Sequence, residues 1–356
     1  MVSNFITKFL LILAFIYIFS LPVQSLFIRP TTYKSHETFT VPDNHTLKND
    51  VYELHTVAEW TKKCLVNRSN ILSTRWLGTT FFNGFGLGNR LFKLASSLSL
   101  SIRLSRCFII FAPKEDISNH QVERISYSKT IFRNIPFDTS SDQSPNLPNV
   151  SFVEENNIFS AYQDIKDMST HGMILDGFRQ NEKYFKDHRA LLQQLLFPPR
   201  EIFAELRKKY PSIDKGVFIH VRRGDYLQLR GVFFVLSNEY YSTVIHNLSF
   251  PEDTHFFFSC KDSAWFESQD FYLRVQNDKK TLVLDNELNT MYLMWMAERG
   301  IICSNSTFCW WGAWLSKFWG KRIVAMPSRW IYGPGADYIN PENVTLFQSI
   351  DEIVES

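Results

Sequence analysis

From about residue 75 onward this chain alternates short apolar runs with stretches of helical period, and polar or glycine-bearing residues collect where the runs end. Such alternation restricts the folded part to strand–helix units, an α/β architecture. Gly78 to Phe82 reads as a strand, followed by the turn Gly84-Phe-Gly-Leu-Gly-Asn-Arg90 and a helix with Leu91, Leu94, Ala95 and Leu98 on one face. Val217 to Val221 is a short strand of buried type, and Met173 to Leu175 and Phe256 to Asp262 are further strands with polar ends. Leu288, Met291, Tyr292 and Trp295 share a helix face, and Gly300 is placed to end that helix. Ile301 to Cys303 then reads as a buried strand. Ser304-Asn-Ser-Thr307 caps a helix over 308–318 that is apolar nearly all round and so must be buried.

Length and charge narrow the function classes. At about 150 residues per domain, 356 residues imply roughly two domains. Net charge is +2, from 38 basic and 36 acidic residues, with no basic block, which argues against a nucleic-acid partner. Five cysteines (Cys64, Cys107, Cys260, Cys303, Cys309) form no CxxC pair, and their odd number leaves at least one thiol free or bonded to another chain.

Residues Phe9 to Ile28 run without a charge and are closed by Arg29. As a helix they reach ~30 Å, one bilayer core. Two readings fit: a signal anchor with residues 1–8 in the cytosol, or a signal peptide cut near Ser25. Either directs the rest into the secretory pathway, in keeping with sequons at Asn44, Asn67, Asn149, Asn247, Asn305 and Asn343. Asn305, at the cap of a buried helix, is expected to carry no glycan. Residues 29 to 75 read as a polar stem, or as a plain N-terminal extension.

Three places are suited to an anion. The glycine turn before Leu91 brings backbone N–H groups to a helix start, although it reads equally as a plain βα turn. Arg222, Arg223 and Asp225 follow a strand, at the edge where open α/β sheets bind ligands. Two guanidiniums there suit a diphosphate, with Asp225 aiming one of them; a surface ion pair and an adhesion-type Arg-Gly-Asp triplet are the competing readings. Ser304 to Thr307 offers hydroxyls and free N–H groups at a second helix start. Asp176, Gln180 and Glu182 crowd one loop. No Asp-x-Asp occurs, which points to cationic side chains rather than a divalent metal for neutralising a leaving group.

His220-Val-Arg-Arg-Gly-Asp-Tyr226 resembles the HxRRGDY motif of the α-1,2-fucosyltransferases, glycosyltransferase family 11. Gly86 to Phe92 resembles its GxLGNQMF loop, Gln180 to Phe185 its QSEKYF segment, and Ser237 to Tyr241 its next helix start. Phe258 to Trp265 is similar to its FSDDxxW, and Asn305 to Leu315 to its NSTFSWWGAWL. The resemblance implies a GT-B fold, two facing Rossmann-like domains preceded by a transmembrane helix. The divisions expected are a tail at 1–8, an anchor at 9–28, a stem at 29–75, an acceptor-side domain at 76–200 and a GDP-fucose domain at 201–356. It implies inverting, metal-independent transfer of fucose from GDP-fucose to a galactose 2-hydroxyl, with no cofactor, in a type II protein of the Golgi membrane. Homo-oligomerisation is left open.

Carried over by motif position, Arg222 contacts the β-phosphate, supported by Arg223 and Asp225, and His220 lines the nucleoside side. Ser306, Thr307 and Phe308 hold phosphate oxygens, and Gly88 and Asn89 close the cleft from the other domain. Asp176, Glu182 and Asp225 are the candidates to take the acceptor's proton, Asp225 the weakest base of them beside two arginines. The sequence departs from the motifs at Arg90, where Gln is usual, at Met291, where Asp is frequent and for which Asp285 or Glu287 is the expected substitute, and at Cys260-Lys261, which replaces the first Asp of FSDD. A fucosyltransferase of another linkage and an inactive glycan-binding protein of the same fold are the alternatives.

Overall fold

The computed structural model describes residues 75–82, 85–113, 125–139, 149–154, 161–169, 171–332 and 339–352. The expected tail, anchor and stem up to residue 74, with the sequons at Asn44 and Asn67, lie outside them. Among the described residues no helix is long and apolar enough to cross a membrane.

The first half contains β1 (Trp76–Thr80), α1 (Leu87–Arg103), β2 (Cys107–Phe111), β3 (Phe137–Asp138), β4 (Val150–Val153) and β5 (Gly172–Leu175). Helices α2 (Arg189–Leu196) and α3 (Arg200–Lys209) lead to β6 (Gly216–Val221), α4 (Asn238–Asn247), β7 (His255–Cys260), α5 (Ser263–Glu267) and α6 (Asp270–Leu273). There follow β8 (Lys280–Leu282), α7 (Glu287–Met296), β9 (Gly300–Ile302), α8 (Thr307–Trp314), β10 (Ile323–Pro327) and β11 (Thr345–Phe347). They build two sheets, ordered β3-β2-β1-β5-β4 and β11-β10-β9-β6-β7-β8, with every named pairing parallel. The expected pair of parallel α/β sheets is therefore present. Central strands β1, β2, β5, β6 and β9 are buried along their whole length, as parallel strands covered on both faces must be.

Element boundaries differ from the sequence reading in instructive places. α7 ends at Met296 because Ala297 takes an extended backbone, and Gly300 opens β9 instead of capping the helix. A Cβ at Gly300 would lie 3.1 Å from the Ile323 carbonyl, so the close strand approach explains the glycine. α8 stops at Trp314, short of residue 318. Its last carbonyls are taken by side chains: Arg189 Nε donates to Trp314 O (2.8 Å), Gln193 Nε2 to Leu315 O (2.8 Å) and buried Arg322 to Gly312 O (3.1 Å).

Helix α1 was expected to bury one face, yet 14 of its 17 residues are buried. It lies on β1 and β2 and also packs against α8, so it has almost no solvent side. Two of its four buried serines are satisfied within the helix, Ser96 Oγ donating to Phe92 O (2.8 Å) and Ser101 Oγ to Leu98 O (2.7 Å), whereas the Ser97 and Ser99 hydroxyls have no hydrogen-bond partner among the described residues.

Candidate active site

The strand period decides which side chains meet. Along β6, Val217, Ile219 and Val221 enter the core on one face, whereas Phe218 packs into the core on the α7–α8 side. His220 and Arg222 continue the Phe218 side, and Arg223 continues the Val221 side. The two adjacent guanidiniums therefore part company.

Arg222 is paired with Asp225 at 2.8 Å, with 26% of its side chain exposed, and lies 5.4 Å over the Tyr226 ring. Gly224 has φ +39°, which reverses the chain and brings Asp225 back to Arg222. Arg223 is only 7% exposed and spends its donors on Asp262 (3.1 Å) and Glu352 (2.9 Å), with its guanidinium 3.8 Å over the Trp265 ring. Burial alone would raise the Glu352 carboxyl, but hydrogen bonds from Arg223 and Arg230 outweigh it and hold the pKa below the ordinary value. Arg223 thus fastens the C-terminal segment to β6, and Arg222 is the guanidinium of the pair at the open edge.

Strand β9 lies beside β6, with Ile219 opposite Ile302, so the residues after both strands emerge together. His220 Nδ1 and Ser304 Oγ are 2.9 Å apart, and the Tyr226 hydroxyl donates to Asn305 O at 2.8 Å. The His220 ring stands 5.6 Å from that of Phe308. Burial, with Arg222 and Lys261 adding positive charge nearby, pushes the His220 pKa down to about 3, so the imidazole is neutral. Burial likewise pushes the Tyr226 phenol upward, which leaves it a donor. Arg222 and the start of α8 are joined through Tyr226 and Asn305 at one sheet edge, whereas the sequence reading had set both arginines there.

Ser306 precedes α8 in extended conformation and makes no side-chain capping bond. The first-turn N–H groups of α8 are consequently not capped by its hydroxyl. Asn305 is fully buried, and its amide donates to Phe234 O and Trp330 O, both at 2.9 Å. It has no room for a glycan. A disulfide between Cys303 and Cys309 spans this loop, and Cys260 is the free cysteine among the described residues. The sequence reading had left the pairing open.

The first sheet contributes the opposite side. A Cβ at Gly88 would lie 2.6 Å from Phe308 N, Thr307 C and Thr307 Oγ1, so only glycine lets the start of α1 approach the start of α8. One residue on, Asn89 Oδ1 accepts from Gln180 Nε2 at 3.0 Å. Two helix N-termini, one from each sheet, meet at this point.

The three candidate carboxylates occupy different settings. Glu182 is buried; Trp314 Nε1 donates to Oε2 at 2.9 Å and the Glu342 N–H donates to Oε1. Burial raises its pKa. With both oxygens taken by donors from the second half of the chain, it is a tie rather than a solvent-facing base. Asp176, at the end of β5, is 40% exposed and 2.6 Å from Lys93, whose own side chain is buried. Desolvation raises the Asp176 carboxyl, but the Lys93 charge and hydrogen bond more than compensate and keep its pKa low. Asp225 is held by Arg222.

Met291 is fully buried in the core, so it touches no ligand. Asp285 is taken up by Lys209 (2.8 Å) and Asn289 (2.8 Å), whereas Glu287 accepts from the Tyr127 hydroxyl inside the molecule. Arg90, beside them, lies 4.9 Å over the Tyr127 ring. The sequence reading placed Ser304 in the helix-capping run and Tyr226 at the end of a motif but gave neither a partner, and it did not single out Lys93. Lys93 lies four residues after Asn89, one helical turn deeper, and that spacing was the available signal.

Comparison with known proteins gives these positions a setting. The model of Glycosyl transferase family 11 matches residues 143–329, more than half of the chain and inclusive of β5 to β10. An alpha-1,2-colitosyltransferase from Escherichia coli is 32% identical over 167 residues, which cover 43% of this chain and only 54% of that protein. A galactoside 2-alpha-L-fucosyltransferase from Caenorhabditis elegans is 25% identical over 260 residues, covering 67% of this chain and 69% of its own. Among solved structures, the fucosyltransferase NodZ from Bradyrhizobium superposes with a TM-score of 0.41 at 17% identity, covering 67% of this chain and 92% of that one. The family match over more than half of the chain identifies it as a member of glycosyl transferase family 11.

Proposed function

We propose that this glycosyltransferase moves fucose from GDP-fucose to the 2-hydroxyl of a galactose residue on a glycan, inverting the anomeric centre without a resident metal. We place it in the Golgi lumen, anchored through residues 9–28. The observation that carries the donor reading is the meeting of Arg222 and the start of α8 at the shared carboxyl edge of β6 and β9. The likeness to an α-1,2-colitosyltransferase and a galactoside 2-fucosyltransferase supports the sugar class and the linkage.

In this reading negative charge builds on the departing GDP as the glycosidic bond breaks. Arg222, already aimed by Asp225 and Tyr226, and the N–H groups of Thr307 and Phe308 stabilise that charge without reorganising. Neutral His220 lines the nucleoside side and adds no repulsive or attractive charge. Gly88 and Asn89 close the site from the first sheet. Asp176, which lies at the end of β5 and is partly exposed although paired with Lys93, is our candidate to receive the acceptor's proton.

Incubation of the purified luminal protein with GDP-[14C]fucose and galactose-terminated acceptors is expected to label the glycan. Methylation analysis is then expected to find 2-substituted galactose. Folded protein that labels no acceptor overturns the activity; label at another hydroxyl overturns only the linkage.

A further inference from the structure

Locking Arg223 into the protein leaves a charge problem at the donor edge. A departing nucleoside diphosphate carries more than two negative charges, and Arg222 shares its own with Asp225. Strand β7 pairs with β6 so that Val221 stands opposite Cys260. The next residues on each strand, Arg222 and Lys261, therefore leave the ladder side by side. The two-residue period puts them on one face: Val221 and Cys260 enter the same core cluster, while Phe218 and Phe257 lie on the other side. His220 belongs to that other side, and it is the group on which the positive charges of Arg222 and Lys261 both act.

Resting on the donor reading above, we propose that Lys261 is a second cation for the diphosphate, standing beside Arg222 across the β6–β7 ladder and filling the place that Arg223 has left. Crowding by protein and the neighbouring Arg222 charge hold its ammonium pKa below the ordinary lysine value, whereas Glu287 and Asp225 act in the opposite direction. An anion arriving between the two cations relieves their repulsion, which is what a diphosphate subsite requires.

Calorimetric titration with GDP and with GMP tests the assignment, using the unsubstituted protein and the Lys261→Ala, Lys261→Asp and Lys261→Arg variants. Lys261→Ala is expected to weaken GDP about tenfold or more while weakening GMP much less. Lys261→Asp is expected to weaken GDP further, and Lys261→Arg to restore most of the affinity. Melting of the ligand-free proteins checks that each variant folds. Equal losses for GDP and GMP overturn the diphosphate assignment. GDP binding unaltered in Lys261→Ala overturns the inference and leaves the donor reading intact. Failure of the unsubstituted protein to bind GDP overturns the donor reading and the inference with it.

Discussion

Neighbouring arginines on one strand end have opposite duties, and substitution should separate them. Arg222→Ala removes a donor at the open edge and leaves the core intact. It is expected to cost GDP binding and turnover a hundredfold or so, about 3 kcal/mol, with little change in melting temperature. Arg223→Ala removes a buried guanidinium from two carboxylates and a tryptophan face, so its cost should appear as stability, about 2 kcal/mol after allowing for the partial exposure of Asp262 and Glu352. Melting curves read beside GDP titrations distinguish the two, and the reverse pattern would show that the strand faces have been assigned backwards. His220 adds a pH signature. Its pKa is about 3 in the fold against an ordinary 6.5, so between those values the unfolded chain binds a proton that the native state refuses. Its neutral state is fully favourable above pH 6.5, and stability declines as pH falls below that, by up to about 1.4 kcal/mol per unit. Urea unfolding at pH 7.5 and 5 should show this decline, and His220→Gln should reduce it. Parallel pH dependence in the two proteins would exclude His220 as the source.

At the scale of elements, the loop from β9 into α8 brings the most chemistry together in the fewest residues. Its disulfide joins Cys303 at the strand end to Cys309 in the first turn of the helix, across the residues assigned to phosphate. Closing so short a loop stabilises the fold by roughly 2 kcal/mol through unfolded-state entropy. The double variant Cys303→Ala/Cys309→Ala should therefore melt roughly 5 °C lower, and its GDP affinity should fall because the helix start is no longer fixed against the strand. A double variant that matches the parent in both measurements would show the bond to be incidental. Much of this element was legible beforehand. Ile301 to Cys303 announced a buried strand, the polar run from Ser304 a helix start, and the three tryptophans a helix with no solvent face. What could not be read was non-local. The pairing of Arg223 with Glu352 spans 129 residues, and the burial of α1 on all sides depends on α8 arriving from the second sheet. A single helix's own period records only the face it would bury alone. The divergence of Arg222 from Arg223 was in principle available from the two-residue strand period. Their adjacency suggested joint binding only because the sequence was read as a line.

At the scale of the whole molecule, the two sheets are not independent bodies. One hydrophobic core contains Phe92 and Phe108 from the first half together with Phe218, Trp310 and Met326 from the second. Where the halves meet, Phe92 lies 4.7 Å from Trp310 and 5.0 Å from Trp311, and Phe185 stacks 5.2 Å from Trp311. Polar ties cross the same seam: Glu182 to Trp314, Arg189 and Gln193 to the end of α8, and Lys186 to Glu342 at 3.2 Å. Aromatic packing of this kind is lost all at once, because removing one ring uncovers its neighbours from both halves. The described region should accordingly unfold in guanidinium as one transition, with circular dichroism and tryptophan fluorescence sharing a midpoint. Trp311→Ala should lower that midpoint by about 3–5 kcal/mol of stability without dividing the curve, since its ring contacts Phe92 and Phe185 from the first half as well as Trp310 and Trp314 of its own helix. GDP should raise the same single midpoint, because its assigned contacts lie where α1 and α8 touch at Gly88. Two resolved transitions, with GDP shifting only one, would mean that the seam contributes little and that each sheet holds its own fold.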